Sequence, residues 1–216
     1  MTYLELVNDV LARLREQTVA TVNATTYSTL IGKFVNDAKR QIEDAFPWNI
    51  LSQDITVTTS ASVYKYSLTG AGQKFQVLDA INSTSNIPLE NISFVQMNRY
   101  QNYAIVPAST IPNQYVFDGV DTNYDAKVTL YPRPDGVYSL LFSLAVPQAT
   151  LSSDSTVCLV PDTLVAQNAY ARALIERGED GSMNSSEAFL LYKSMLSDYI
   201  ALEGTRFPDY DGFVAT

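Results

Sequence analysis

The sequence predicts an α+β protein: a four-helix bundle formed by N- and C-terminal helix pairs, with an inserted β-rich, sandwich-like domain and an extended C-terminal arm. Three observations predict it. Apolar residues recur at helical spacing near both ends of the 216-residue chain. The period drops to two across the middle third. After Gly204 the periodicity stops in a stretch rich in proline, glycine and aspartate. The expected boundaries are 1–51, 52–150, 151–203 and 204–216.

The first helix is expected from Thr2 to Glu16, with Leu4, Val7, Leu11 and Leu14 as its buried stripe. Residues 18–25 are polar and threonine-rich and read as a loop. A second helix follows over 26–45. Thr25 can cap it, because a threonine hydroxyl accepts one of the unpaired N–H groups of a first turn. Leu30, Ile31, Phe34, Val35, Ala38 and Ile42 form its stripe. Pro47 ends it by pushing the preceding residue out of the helical region. Trp48 reads as a core anchor.

From Gln53 onward, Ile55 and Val57, then residues 63–68, then Phe75 and Val77, alternate as strands do, punctuated by Gly70 and Gly72. Residues 93–103 suit a short surface helix, with Phe94, Met97 and Tyr100 or Gln101 on one side. Lys127–Tyr131, Pro132-Arg133-Pro134-Asp135-Gly136 and Val137–Leu144 read as strand, turn and strand. Asp-Gly supplies the turn, and this loop length predicts an adjacent antiparallel pair. Tyr138, Leu140, Phe142 and Leu144 give the second strand an apolar face.

A third helix opens near Pro161 and carries Leu164, Val165, Asn168, Ala169, Arg172, Leu174 and Ile175 on its packing face. Residues 178–184 break it. Asn184 with Glu187 looks like a capping box for the fourth helix. The expected stripe there is Ala188, Leu191, Tyr192, Met195, Leu196, Tyr199 and Leu202, with Gly204 as C-cap. The remaining TRFPDYDGFVAT contains Phe207, Tyr210 and Phe213. Extended, such an arm reaches roughly 40 Å at ~3.3–3.6 Å per residue. It either folds back on its own domain or docks on a neighbour through aromatic anchors.

Composition narrows the chemistry. The chain has no histidine, which removes histidine-based nucleophile systems and histidine-ligated metals. Its one cysteine, Cys158, sits in an apolar run and reads as a small core residue. Asp118, Asp121, Asp125 and Asp135 are the only grouped acid–base candidates. All four lie in turn-like sequence, where aspartate bends the backbone. Residues 118–123 lack the glycine and the terminal glutamate at the offsets of an EF-hand calcium loop, and Gly70-Ala71-Gly72 opens no helix that could hold phosphate. No catalytic, cofactor or metal residues are assigned. The net charge is −9, of which residues 151–216, with 4 basic and 10 acidic side chains, carry −6. No basic stripe exists to grip nucleic-acid phosphates. The N-terminus has no basic region or long apolar run and reads as no signal peptide. No stretch approaches a membrane span.

The order of these parts resembles the adaptor (head-to-tail connector) proteins of tailed bacteriophages. The resemblance is carried by Leu4-Glu5-Leu6-Val7-Asn8-Asp9-Val10-Leu11, by Phe34-Val35-Asn36-Asp37-Ala38 leading to Phe46-Pro47-Trp48, by Val128-Thr129-Leu130-Tyr131-Pro132-Arg133-Pro134-Asp135, and by Leu159-Val160-Pro161-Asp162. It implies a structural virion protein at the head–tail junction, assembled in the host cytoplasm, with no enzyme activity and no cofactor. The implied assembly is a homo-oligomeric, dodecameric ring beneath the portal protein that offers a platform to a tail or nozzle protein. Double-stranded DNA would pass through its channel without specific binding, and no membrane is involved. Carried over, 204–216 is the portal-binding arm, with Arg206, Phe207, Pro208, Tyr210 and Phe213 as contact residues. Another tail-tube or baseplate component is the alternative, and a carboxylate-based glycosidase a distant one.

Overall fold

Thr2 and Thr25 each open a helix in the same way, and the helical part of the molecule is built from there. The structure, a computed structural model, describes residues 1–103, 107–178 and 183–206. They form five helices and two sheets, an α+β protein. The chain divides into a helical unit (1–51 and 147 onward) and a β unit (52–146).

In the helical unit, α1 (Tyr3–Arg13) starts on a capping box. Glu5 N–H donates to Thr2 Oγ1 (3.3 Å) and Thr2 N–H to the Glu5 carboxylate (2.8 Å). The helix ends at Arg13, short of the expected Glu16, and Arg15 takes a left-handed φ of 59°. Its buried face is also wider than the expected stripe. Leu6 and Val10 join Val7 and Leu11 in the core, while Leu4 is half-buried. The reason is that α1 packs against two partners, α2 (Thr26–Ala45) and α4 (Asp162–Arg177).

Helix α2 has the expected bounds and cap: Ser28 N–H donates to Thr25 Oγ1 (2.9 Å). Phe46 is extended ahead of Pro47. Trp48 is 2% exposed, and its Nε1 donates to the Ile42 carbonyl (2.7 Å), which locks the stop into the core. Gly32 sits where α1 comes closest. A Cβ there would run into the Tyr3 hydroxyl and lie 2.8 Å from Val22 Cγ1.

Helix α4 is buried from Leu164 to Ala169 and again at Ala171 and Ala173, and it touches α1, α2 and α5 (Met183–Gly204). Ala166, Ala169, Ala171 and Ala173 allow that approach on several sides. Ile175, expected on the packing face, is instead 64% exposed. Gly178 ends the helix at φ 63°, a conformation that costs glycine little. Helix α5 already includes Met183, so Asn184 lies inside the first turn and not at the expected cap. Its partner among the long helices is α4. Among the described residues one side is covered: Ala188 and Tyr192 are buried, while the expected stripe residues Leu191 and Leu202 are exposed.

The returning segment 147–160 is stapled to the helices by polar groups. Asn36 on α2 exchanges two hydrogen bonds with the Leu151 backbone (2.8 and 3.1 Å). Lys39 Nζ donates to the Gln148 carbonyl (2.6 Å), and Glu43 accepts the Gln148 N–H (3.0 Å). Lys39 and Glu43 pair at 2.9 Å with side chains 0% and 1% exposed.

The β unit holds two four-stranded sheets. One contains β1 (Ser52–Thr58), β8 (Ser139–Ala145), β3 (Gln76–Asn82) and β4 (Ile87–Pro88), in that order. The other contains β2 (Lys65–Ser67), β7 (Ala126–Tyr131), β6 (Gln114–Val120) and β5 (Glu90–Asn91). All neighbours are antiparallel except β5–β6. Leu140, Phe142 and Leu144 from the first sheet share one core with Val128 and Leu130 from the second and with Leu68, just after β2. Ser52 pairs with Ala145, so the unit's entry and exit strands lie side by side, which is how an insertion closes on itself. Helix α3 (Phe94–Asn102) covers a smaller cluster through Met97, with Gln101 also buried. Phe94, on the side expected for it with Met97 and Gln101, is half exposed.

The expected 127–144 hairpin is not formed. β7 and β8 belong to different sheets. The loop between them spends its backbone groups on other segments. Arg133 N–H donates to the Ala108 carbonyl (2.9 Å), Thr110 N–H to the Arg133 carbonyl (3.0 Å), and Ser62 N–H to the Pro134 carbonyl (2.8 Å). With Pro132 and Pro134 unable to donate, the chain crosses to the facing sheet.

Candidate functional site

The four aspartates that could do acid–base work each have a structural partner. Asp118 accepts from Lys65 Nζ (2.5 Å) and from Thr129 Oγ1 (3.4 Å), and the Lys65 contact holds its carboxyl below the ordinary range. Asp121 Oδ1 accepts the N–H groups of Asn123 (2.8 Å) and Asp125 (3.0 Å), which also lowers its pKa. Asp125 Oδ1 accepts from Gly70 N–H (3.1 Å) and Gly72 N–H (3.0 Å). The glycine pair thus binds a carboxylate from its own unit. Asp135 accepts from the Tyr138 hydroxyl (2.5 Å). Each of the four is thus engaged by donors of its own unit, whereas a general acid or base must be free to meet a substrate.

Cys158 is buried, and burial pushes its thiol up to about 11, far from a reactive thiolate. Among the described residues no group of three or more histidine, cysteine, aspartate or glutamate side chains could hold a metal ion. No described helix is long and apolar enough to cross a membrane.

Most of the expected arm, 204–216, lies outside the described residues. Of the five expected contact residues, Arg206 is described and exposed, while Phe207, Pro208, Tyr210 and Phe213 lie outside the described residues. Glu203, which the sequence reading passed over, organises the root of that segment. It is 8% exposed at the end of α5. One carboxylate oxygen accepts the Asn49 N–H (2.9 Å) in the turn after Trp48, and the other pairs with Arg206 (3.0 Å). Arg206 N–H also donates to the Glu203 carbonyl (2.9 Å). The available signal was an acidic residue one turn before an arginine at a helix end. Its value depends on Asn49, distant in sequence, which no local pattern reveals.

The chain is thus a helical unit interrupted by a self-closing β unit whose four aspartates are engaged within it, Asp118 from strand β6 and not from a turn as expected. This is the helix, strand, helix order from which an adaptor was expected. The comparison with known families agrees. A model of the SU10 adaptor protein family, a family of phage head-to-tail adaptors, matches residues 1–210. The chain belongs to that family, a family of structural components of the phage virion. No curated protein matches it.

Proposed function

We propose that this chain is the subunit of the adaptor ring that joins the portal to the tail or nozzle and extends the DNA channel. The observation that carries the reading is the family match over residues 1–210, which takes in both units and the root of the arm. In this reading α1, α2, α4 and α5 form the bundle of the ring wall, and twelve subunits close the ring. Residues 204–216 reach the portal, with Arg206, Phe207, Pro208, Tyr210 and Phe213 as contacts and Glu203 fixing the point of departure. The β unit faces the tail machinery or the outside.

Charge supports a conduit. The −6 balance of residues 151–216 would repel phosphate from a wall built of the closing helices, so DNA would slide without specific binding. A ring also needs two different patches on each subunit, related by rotation. The experiment is imaging by negative stain, with the chain alone and mixed with its phage's portal protein. Closed rings stacked on the portal are expected. A chain that stays monomeric in both conditions contradicts the reading.

A further inference from the structure

We infer that the outer face of α5 is one half of a head-to-tail contact between two copies of this chain, and that its seat is the groove at the start of α2. The inference rests on the ring reading and specifies the surfaces, which that reading leaves open.

Helix α5 carries apolar residues on both sides although one side is covered. Leu190 is 65% exposed, Leu191 53% and Leu202 68%. With Glu187 and Asp198, both exposed, they fall at i, i+3, i+4, i+11 and i+15, one face of a helix. From Glu187 to Leu202 this face runs roughly 22 Å at ~1.5 Å per residue. An exposed leucine alone is ordinary, but three in line on one helix are the anchors of helix-in-groove recognition.

The groove lies on the same unit. It has a volume of about 730 Å³ and is lined by Ala24, Tyr27, Leu30 and Lys33, among others, with no acidic side chain in its lining. Beside those apolar groups it presents the side chains of Asn23, Thr25, Thr26 and Thr29, and its single charged group is Lys33, at a helix N-terminus whose field favours a carboxylate. Lys33 is exposed and has no ion-pair partner among the described residues, and the same holds for Glu187. Charge complementarity therefore selects the occupant: the α5 face of a second copy, with Leu190 and Leu191 over Tyr27 and Leu30 and Glu187 against Lys33. The two patches are different, so the contact repeats around a ring and does not stop at a two-fold dimer.

Charge reversal tests it. Lys33→Glu and Glu187→Lys, made singly, are expected to weaken ring assembly at least tenfold in mass photometry, and the two together to restore it. Both positions are exposed, so circular dichroism and Tm of the variants should match the unaltered chain. As a second readout, in a Cys158→Ser background, Leu30→Cys and Leu191→Cys chains are mixed and treated with a short bismaleimide. Cross-links between the two variants are expected, and none within either alone. Rings that form normally in both single charge variants, or Leu191→Cys chains that cross-link to themselves, overturn this contact while leaving the ring standing. An unaltered chain that forms no ring, alone or with portal, overturns both.

Discussion

At the residue scale, Gly32 shows how one missing side chain sets a helix spacing. The close pass of α1 over α2 leaves no room for a Cβ between the Tyr3 hydroxyl and Val22. Gly32→Ala would gain about 1 kcal/mol of helix propensity. Forcing a methyl into a filled core costs about 1–3 kcal/mol. Net destabilisation of up to about 2 kcal/mol is expected in urea unfolding. Because the nearest obstacle is a hydroxyl, adding Tyr3→Phe should recover part of the loss, a coupling that distant sites lack. A Gly32→Ala chain as stable as the parent would show that the helices simply part. Trp48 was legible in sequence as an anchor beside Pro47. Gly32 was not, because a glycine inside a helical pattern carries no sign of what lies opposite it.

At the scale of elements, legibility follows the range of the forces. The bounds of α2 could be read because its cap and its stop are local: the Thr25 hydroxyl meets the third N–H of its own helix, and Pro47 acts on Phe46. The faces of strands were legible too, since Leu140, Phe142 and Leu144 alternate and are fully buried. Strand partners were not, because alternation says which side is wet and nothing about which strand lies alongside. The 127–144 segment read as a hairpin for that reason, while its loop backbone bonds to residues 62, 108 and 110. The polar staple was equally hidden. Lys39 and Glu43 look like a surface i,i+4 pair and are instead buried against Gln148. Burial pushes the Glu43 carboxyl up, opposed by the Lys39 ammonium beside it. Lys39→Met leaves that carboxyl buried without its cation and should cost about 3–5 kcal/mol. A carboxyl whose folded pKa is raised contributes stability that is complete below its unfolded pKa and lost as pH rises through the folded one. The deficit of Lys39→Met should therefore shrink on moving from neutral pH toward pH 5, and adding Glu43→Gln should recover much of it at neutral pH. A deficit independent of pH would mean that the pair contributes through packing alone.

At the scale of the whole molecule, the helical unit and the self-closing β unit account for the family match, and the charge balance and the exposed leucines give that match a physical use. The order of helices, strands and helices was legible because each change of period is sharp. Burial on both faces of α4 and the one-sided packing of α5 were not, since their apolar residues read the same whether a neighbour belongs to the chain or to another copy. In the proposed assembly, this subunit reaches the portal through residues 204–216. That reach is tested most directly by measuring portal association of the full chain and of a chain ending at Gly204, side by side, by mass photometry. The shortened chain should keep its circular dichroism spectrum and Tm, because Arg206, the last described residue, is exposed and contributes little to the core. It should lose portal association. Undiminished association of the folded, shortened chain would contradict the account.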